Sequence, residues 1–260
     1  NNWRDALVHV AVGTSNKTFT NCVIDSDHKL GNNTFSKCQL TGAMIANNAQ
    51  YTPTVDDTVI IDLDDFSDVA LWLRMRDQQS GNVYDMHGRT VSSGAVNHDI
   101  YWINAVFDNY SVGATTMATF EDCLGTVTVD APSATVSVQD SILTLSFGST
   151  NSPVLNLTNS TVILPDSRVT SVSSIAASGS TVTGQSLSIS GNASVVNCQL
   201  NVPCICSGMF NATQSVLSGV ESVHPNPVDC DIYGTITQAA VASPIIFTIS
   251  GCRFLAGNGH

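Results

Sequence analysis

The stretch Phe120-Glu121-Asp122-Cys123-Leu124 decides the fold, because its pattern returns along the chain at nearly constant spacing. An apolar residue and a spacer are followed by Asn, Asp, Lys or Gly, then by a small residue (usually Cys or Ser), a spacer and another apolar residue, with a spacer absent in some copies. Further copies are Gln139-Asp140-Ser141-Ile142, Thr158-Asn159-Ser160-Thr161-Val162, Ser178-Gly179-Ser180-Thr181-Val182, Val196-Asn197-Cys198-Gln199-Leu200 and Thr213-Gln214-Ser215-Val216. The small residue thus recurs as Cys123, Ser141, Ser160, Ser180, Cys198 and Ser215.

Related copies lie towards both ends of the chain. They are Phe19-Thr20-Asn21-Cys22-Val23-Ile24, Phe35-Ser36-Lys37-Cys38-Gln39-Leu40, Phe107-Asp108-Asn109-Tyr110-Ser111-Val112 and Ile249-Ser250-Gly251-Cys252-Arg253-Phe254. A period of about 18 residues is shorter than that of helical repeats and is typical of one coil of a β-solenoid. Asn or Asp at a recurring turn tolerates left-handed backbone, and a small residue beside it fits an inward corner.

The sequence therefore predicts an all-β fold, a right-handed parallel β-helix (solenoid) with coils of about 18 residues. The alternative is an antiparallel β-sandwich or jelly roll, in which two successive strand-and-turn units would imitate the same period. We expect a single elongated domain over residues 1–260. Residues 42–105 form its less regular, decorated portion, and residues 106–260 carry the most regular coils.

Composition limits the function classes. Of 260 residues, 43% are apolar and 12% charged, which argues against intrinsic disorder. The net charge of −12 argues against nucleic-acid binding, which needs clustered Lys and Arg. No apolar run reaches the length of about 18 residues that a membrane-spanning helix needs, so we expect no membrane span. From residue 141 onward only Asp166, Arg168, Glu221, Asp229, Asp231 and Arg253 carry charge.

A period-two segment, residues 69–76, supplies the first candidate binding residues. Alternation turns Val69, Leu71, Leu73 and Met75 inward, so that Trp72, Arg74 and Arg76 project together. An outward Trp beside two Arg could stack on a sugar ring and hold an anionic group. The alternative is a structural ladder in which the two Arg pair with Asp62 and Asp64 and a neighbouring subunit covers Trp72.

Two further segments, Asp85-Met86-His87-Gly88-Arg89 and His98-Asp99-Ile100-Tyr101-Trp102, gather His, Asp, Arg and aromatic residues in a predicted loop region. We take His87, Arg89, His98 and Trp102 as candidate ligand-binding residues, with both Trp at the surface. No phosphate loop, nucleophile elbow or His-Glu-x-x-His motif occurs, and no catalytic residue is assigned.

Nothing in the sequence predicts a metal or cofactor. Cys204-Ile205-Cys206 is poorly spaced for zinc, and the run from Asp62 fails the calcium-loop pattern because Phe66 stands where a ligand is needed. A solvated acidic loop is the simpler interpretation. The eight cysteines leave the redox state and any disulfide pairing open.

The recurring Asn/Asp-Cys/Ser turns resemble those of the right-handed parallel β-helix superfamily, which includes pectate-lyase-like enzymes, phage tailspikes and surface adhesins. Polygalacturonase-type members carry Asn-Thr-Asp, Asp-Asp and Gly-His-Gly motifs in order. Only Asp56-Asp57 and Asp64-Asp65 match one of these, so the resemblance transfers no catalytic residue. In character the chain is closest to viral or phage tailspike and fibre proteins and to surface adhesins.

The resemblance implies a non-catalytic viral or phage surface structural protein (a spike, fibre or decoration) that attaches to a host glycan or receptor. Such proteins are commonly homotrimers, and we expect an extracellular or virion-surface location. One alternative is a polysaccharide lyase or hydrolase on the same scaffold, with Asp62, Asp64, Asp85 or Asp99 as candidates. The other is a capsid or sheath subunit without receptor contact.

Overall fold

The computed structural model shows a chain folded into short β-strands. It describes residues 2–4, 7–9, 16–25, 30–41, 43–44, 53–61, 65–66, 75, 78–79, 83–86, 88–91, 100–113, 116–148, 152–165, 169–239 and 248–255. By its contacts the chain divides into two compact units, residues 1–82 and 83–260, and each is described by itself. Whether they make one elongated domain, as the sequence predicts, stays a prediction.

The first unit contains ten described strands. They are β1 (Asn2–Arg4), β2 (Leu7–His9), β3 (Thr18–Thr20), β4 (Val23–Asp25), β5 (Thr34–Ser36), β6 (Gln39–Thr41), β7 (Ala43–Met44), β8 (Thr54–Val55), β9 (Ile60–Ile61) and β10 (Asp65–Phe66). Parallel pairing gives the sheets β1-β3-β5-β8 and β2-β4-β6-β9, with β10 beside β7. Phe19 and Phe35 pair in register and stack with ring centroids 5.2 Å apart, so each is the counterpart of the other on consecutive coils.

The second unit contains the remaining strands. They are β11 (Val83–Asp85), β12 (Thr90–Val91), β13 (Ile100–Ile103), β14 (Val106–Val112), β15 (Met117–Glu121), β16 (Leu124–Val129), β17 (Thr135–Gln139), β18 (Ile142–Phe147), β19 (Val154–Thr158), β20 (Thr161–Ile163), β21 (Val169–Val172), β22 (Ser174–Ser178), β23 (Thr181–Thr183), β24 (Ser186–Ile189), β25 (Ala193–Val196), β26 (Gln199–Asn201), β27 (Cys204–Thr213), β28 (Val216–Leu217), β29 (Val220–Val228), β30 (Asp231–Ile232), β31 (Ile236–Gln238) and β32 (Arg253–Phe254).

Two long parallel sheets organise this unit. The first sheet runs β11-β13-β15-β17-β19-β22-β25-β27 and continues to strands β21, β24, β29 and β31. The second sheet runs β12-β14-β16-β18-β20-β23-β26-β28-β30-β32. Tyr101 pairs with Thr119 and Thr119 with Ser137, so equivalent positions recur every 18 residues over these three strands.

The register confirms the predicted fold class, a parallel β-solenoid with coils of about 18 residues. Every described strand pair is parallel, which excludes the antiparallel sandwich or jelly roll for this part of the chain. The right-handed sense of the solenoid stays a prediction.

Alternation along each strand separates the core from the surface. On β13 the inward residues are Ile100 and Trp102, whereas Tyr101 and Ile103 are only half-buried. Corresponding inward residues of successive coils lie on top of each other, as Tyr84, Trp102 and Phe120 do. Each coil thus adds its inward side chains on top of those of the coil before it, and the stacked side chains form a continuous apolar core.

The recurring polar residue adopts the left-handed conformation at one corner of the coil. Its φ values lie between 48° and 64° at Asn21, Lys37, Asn104, Asp122, Asp140, Asn159, Gly179, Asn197, Gln214, Asp229 and Gly251. Asn, Asp and Gly tolerate this conformation best, and their recurrence here confirms the turn chemistry that the sequence predicts. The small residue that follows is buried in most coils, as Cys123 and Ser141 are.

A hydrogen-bond relay explains why this small residue is Ser or Cys. The Ser141 hydroxyl donates to the carbonyl of Gln139 (2.6 Å) and accepts the backbone N–H of Cys123 from the preceding coil (2.8 Å). Ser160 repeats the arrangement with the N–H of Ser141 (3.2 Å). A thiol makes the first bond, since Cys198 Sγ lies 3.2 Å from the Val196 carbonyl oxygen. Where the chain turns at the corner, buried backbone N–H and carbonyl groups lose their partners in the sheet. The small side chain supplies hydrogen bonds for these groups.

Candidate functional site

The structure describes two of the seven residues that the sequence singles out for binding, Arg89 and Trp102. The other five, which lie outside the described residues, are Trp72, Arg74, Arg76, His87 and His98. Their assignment stays a prediction, as does the pairing of Arg74 and Arg76 with acidic residues.

Trp102 requires a correction, because it is a core residue and not a surface one. Its side chain is fully buried, and its ring stacks on Tyr84 with centroids 4.8 Å apart. Phe107 and Tyr110 contact it edge-on at 5.5 and 5.4 Å. Trp102 packs inside the coil because it shares the inward face of β13 with Ile100, and a ligand has no access to its ring.

Arg89 lies at the start of the second unit and is half-buried. Its backbone N–H donates to the carbonyl of Met86 (3.0 Å), and one guanidinium nitrogen lies 3.5 Å from the same oxygen. Its own carbonyl accepts the N–H of Val106 from the next coil. These bonds hold the turn after β11 against β14.

The segments around residues 85 and 101, which the sequence treats as separate, lie beside each other on neighbouring coils. Strand β11 pairs with β13, and β13 pairs with β15. The outward residues of these strands form one surface, here called the Tyr101 patch. It consists of Val83, Asp85, Tyr101, Ile103, Met117, Thr119 and Glu121.

An aromatic residue and a carboxylate contact each other in the Tyr101 patch. The Tyr101 hydroxyl donates a hydrogen bond to Glu121 Oε2. Asp85, Ile103 and Glu121 follow one another in register, so the two carboxylates stand in the same column on either side of Ile103. Carboxylate oxygens accept hydrogen bonds from hydroxyl groups, and a half-exposed aromatic ring offers an apolar contact surface. Sequence reasoning missed Glu121 because it lies in a regular coil outside residues 42–105.

Two surface grooves lie further along the second unit. The first has a volume of about 320 Å³ and opens where Ala176 stands between the larger Asn156 and Ser194 on the outward face of the first sheet. The second has a volume of about 470 Å³ and includes Ser218, Glu221 and Thr235. Both are lined by apolar and hydroxyl side chains, with the Asn156 amide in the first and the charged Glu221 in the second.

Asp56, the first residue of the acidic segment in the first unit, has a structural role in its own turn. Asp56 Oδ1 accepts the backbone N–H of Thr58 (2.9 Å) and also its hydroxyl. These hydrogen bonds, with that to the Thr58 side chain the largest cause, lower the pKa of Asp56. Asp62, Asp64 and Asp68 lie outside the described residues, as does Asp99. Among the described residues, no group of three or more His, Cys, Asp or Glu is placed to hold a metal ion.

All eight cysteines are present as thiols, and seven of them are buried. Burial raises the pKa of Cys123 to about 11 and that of Cys204 to about 12. A thiol reacts as its thiolate, so both groups are protonated and unreactive at neutral pH. They serve as small apolar residues of the coil.

Comparison of the chain with protein-family models, with curated proteins and with solved structures found no match. Within the part of the chain that the structure describes, no helix has the length and apolar character needed to cross a membrane.

Proposed function

We propose that the chain is a non-catalytic viral or phage surface structural protein, a spike, fibre or decoration, that attaches to a host glycan or receptor. The Tyr101 patch is its attachment surface. The proposal rests on one observation, the register of β11, β13 and β15, which gathers an aromatic ring and two carboxylates on one outward face.

The chemistry of the patch suits a sugar. A pyranose presents an apolar face of C–H groups that packs on an aromatic ring, and its hydroxyl groups donate hydrogen bonds to carboxylates. The hydrogen bond from Tyr101 to Glu121 fixes the position of both side chains before a ligand arrives. Fixed side chains lose little conformational entropy on binding, which favours affinity from a small contact area.

The same proposal includes a homotrimer at an extracellular or virion surface. Its support is the second sheet, in which strands β16, β18, β20 and β23 contain no charged residue. Leu124 and Ile142 are exposed there, at 47% and 54% of their full accessible surface. The cores of protein interfaces are depleted in charge, so this face fits burial between copies.

A glycan array with the full chain tests attachment, followed by affinity measurements on any glycan retained. We expect Tyr101→Ala to weaken binding at least tenfold, and Glu121→Gln to weaken it as well. Tyr233→Ala is the matched control, because Tyr233 is 47% exposed and lies outside the patch. Equal losses in Tyr101→Ala and Tyr233→Ala, or retention of no glycan, would overturn the proposed surface.

The alternative of a polysaccharide lyase or hydrolase has one observation in its favour, the placement of Asp85 and Glu121 in the same column of the first sheet. Release of oligosaccharides by the wild type, lost in Glu121→Gln, would establish it instead. Light scattering on the same preparation tests the trimer against the 27.4 kDa mass of one chain. A monomer at high concentration would remove the oligomer from the proposal.

A further inference from the structure

Cysteine follows cysteine at the corner in two places. Cys22 and Cys38 occupy consecutive coils of the first unit, and Cys230 and Cys252 occupy consecutive coils at the end of the second. Elsewhere a corner cysteine has other small neighbours. Cys123 is followed by Ser141, and Cys198 stands between Ser180 and Ser215.

Cys230 and Cys252 stand in register. Val228 bridges to Ser250 and Asp231 pairs with Arg253, so the two cysteines between these partners are stacked directly. Neighbouring parallel strands lie about 4.8 Å apart, which falls within the range of about 4.4–6.8 Å between the Cα atoms of a disulfide. Burial is the largest cause that raises the pKa of Cys230, and the neighbouring Cys252 thiol raises it further.

Accessibility distinguishes the two pairs. Cys252 is half-exposed at the edge of the coil, whereas its partner Cys230 is buried. In the first unit both Cys22 and Cys38 are buried. A disulfide forms by attack of an accessible thiolate, so the C-terminal pair is the more reactive of the two.

We propose that Cys230 and Cys252 are the site of an intrachain disulfide between the last two described coils. A small disulfide such as glutathione disulfide supplies the oxidant. The Cys252 thiolate attacks one of its sulfurs and releases one glutathione thiolate. The Cys230 thiolate then attacks the Cys252 sulfur of the mixed disulfide and releases the second. The protein loses two thiol protons and two electrons, and one glutathione disulfide becomes two glutathione molecules.

The cross-link would strengthen the short contact between β30 and β32. Strand β32 contributes two residues, which pair with β30, and Arg253 binds the Asp231 carboxylate with two hydrogen bonds of 2.7 and 2.6 Å. This ion pair is exposed to solvent and is therefore screened by salt. A covalent bond between residues 230 and 252 closes the loop between them. It therefore restricts how far the two coils can move apart when the strands unpair.

The test uses the full chain, incubated under native conditions with glutathione disulfide, alkylated, and digested with chymotrypsin after unfolding. We expect a linked pair of peptides, residues 218–233 and 248–254, with a mass two hydrogens below the sum of the free peptides. Cys252→Ser removes the linked species. Cys198→Ser, at a corner whose neighbours are serines, retains it and is the matched control.

We expect both serine variants to fold, because Ser already occupies this corner position in four coils. Recovery of alkylated Cys230 and Cys252 from the treated wild type would overturn the proposal. So would a stable mixed disulfide with glutathione on Cys252, since it would show that Cys230 cannot reach it. Linkage of Cys252 to any other cysteine would contradict the assigned pair.

Discussion

The corner of the coil and the outward face of the first sheet obey different rules. At the corner, φ stays in the left-handed region in coil after coil and the next residue is a small hydrogen-bonding one. Along the outward face, the column that contains Tyr101 runs from Val83 through Tyr101, Thr119, Ser137 and Asn156 to Ala176, and the residue type changes at each of these steps. Backbone geometry restricts the corner, whereas solvent accepts almost any side chain on the face. The corner therefore determines the fold, and specificity for a partner can change on the face alone.

We expect the largest difference in stability between alanine variants of two adjacent residues of β13, whose side chains point in opposite directions. Trp102→Ala removes a fully buried indole and should lower the free energy of unfolding by about 3–5 kcal/mol. Tyr101→Ala, on the outward face, should cost less than about 1 kcal/mol. Urea unfolding followed by circular dichroism measures both.

Trp102→Phe provides a milder comparison if the alanine variant fails to fold. The Trp102 Nε1 group has no hydrogen-bond partner among the described residues, so its replacement by Phe leaves no further polar group unsatisfied. Equal destabilisation by Tyr101→Ala and Trp102→Ala would contradict the separation of inward and outward faces.

A smaller effect is expected from removing one hydroxyl of the corner relay. Ser141→Ala leaves the backbone N–H of Cys123 without its acceptor in a buried position and should cost about 1–3 kcal/mol. Ser137→Ala, on the outward face of the preceding strand, should change stability by less than about 0.5 kcal/mol. Hydrogen exchange of the Cys123 amide gives a local readout, and unchanged protection in Ser141→Ala would argue against the relay.

We expect the smallest loss of stability from substitutions of the corner residue whose backbone is in the left-handed region. Asn159→Val places a β-branched side chain at a φ of 48° and should cost about 1–2 kcal/mol. Asn159→Gly should be close to neutral, because Gly179 occupies the same corner in the next coil. If the Val and Gly variants unfold at the same urea concentration, backbone strain does not select the corner residue.

These differences explain what the sequence can predict. The corner is recognisable because Asp122, Asp140 and Asn159 satisfy a backbone requirement that few residue types meet, and each is followed by Cys or Ser. The solenoid and its period follow from that recurrence. The length of each coil is harder to predict, because turns away from the corner vary. Asn226 follows its partner Asn211 much more closely along the chain than Ala176 follows Asn156.

The candidate site was harder to predict, for a reason visible in β13. Ile100, Tyr101, Trp102 and Ile103 are all apolar or aromatic, so alternation gives no indication of which pair faces inward. The Trp packs in the core, and Tyr101 lies on the surface. The contact between Tyr101 and Glu121 joins residues on neighbouring coils, and it follows from the register of the coils and not from any local motif.

The corner relay also determines how such a molecule changes in size. In coils with Ser at the corner, the hydroxyl accepts the N–H of the preceding corner and the Ser N–H bonds to the next hydroxyl, as Ser141 and Ser160 do in turn. One whole coil is therefore a self-consistent insert, since duplicating it adds a donor together with its acceptor. Gain or loss of such serine coils lengthens or shortens the protein while leaving the corner hydrogen bonds unchanged, a route by which reach can evolve independently of what the surface recognises.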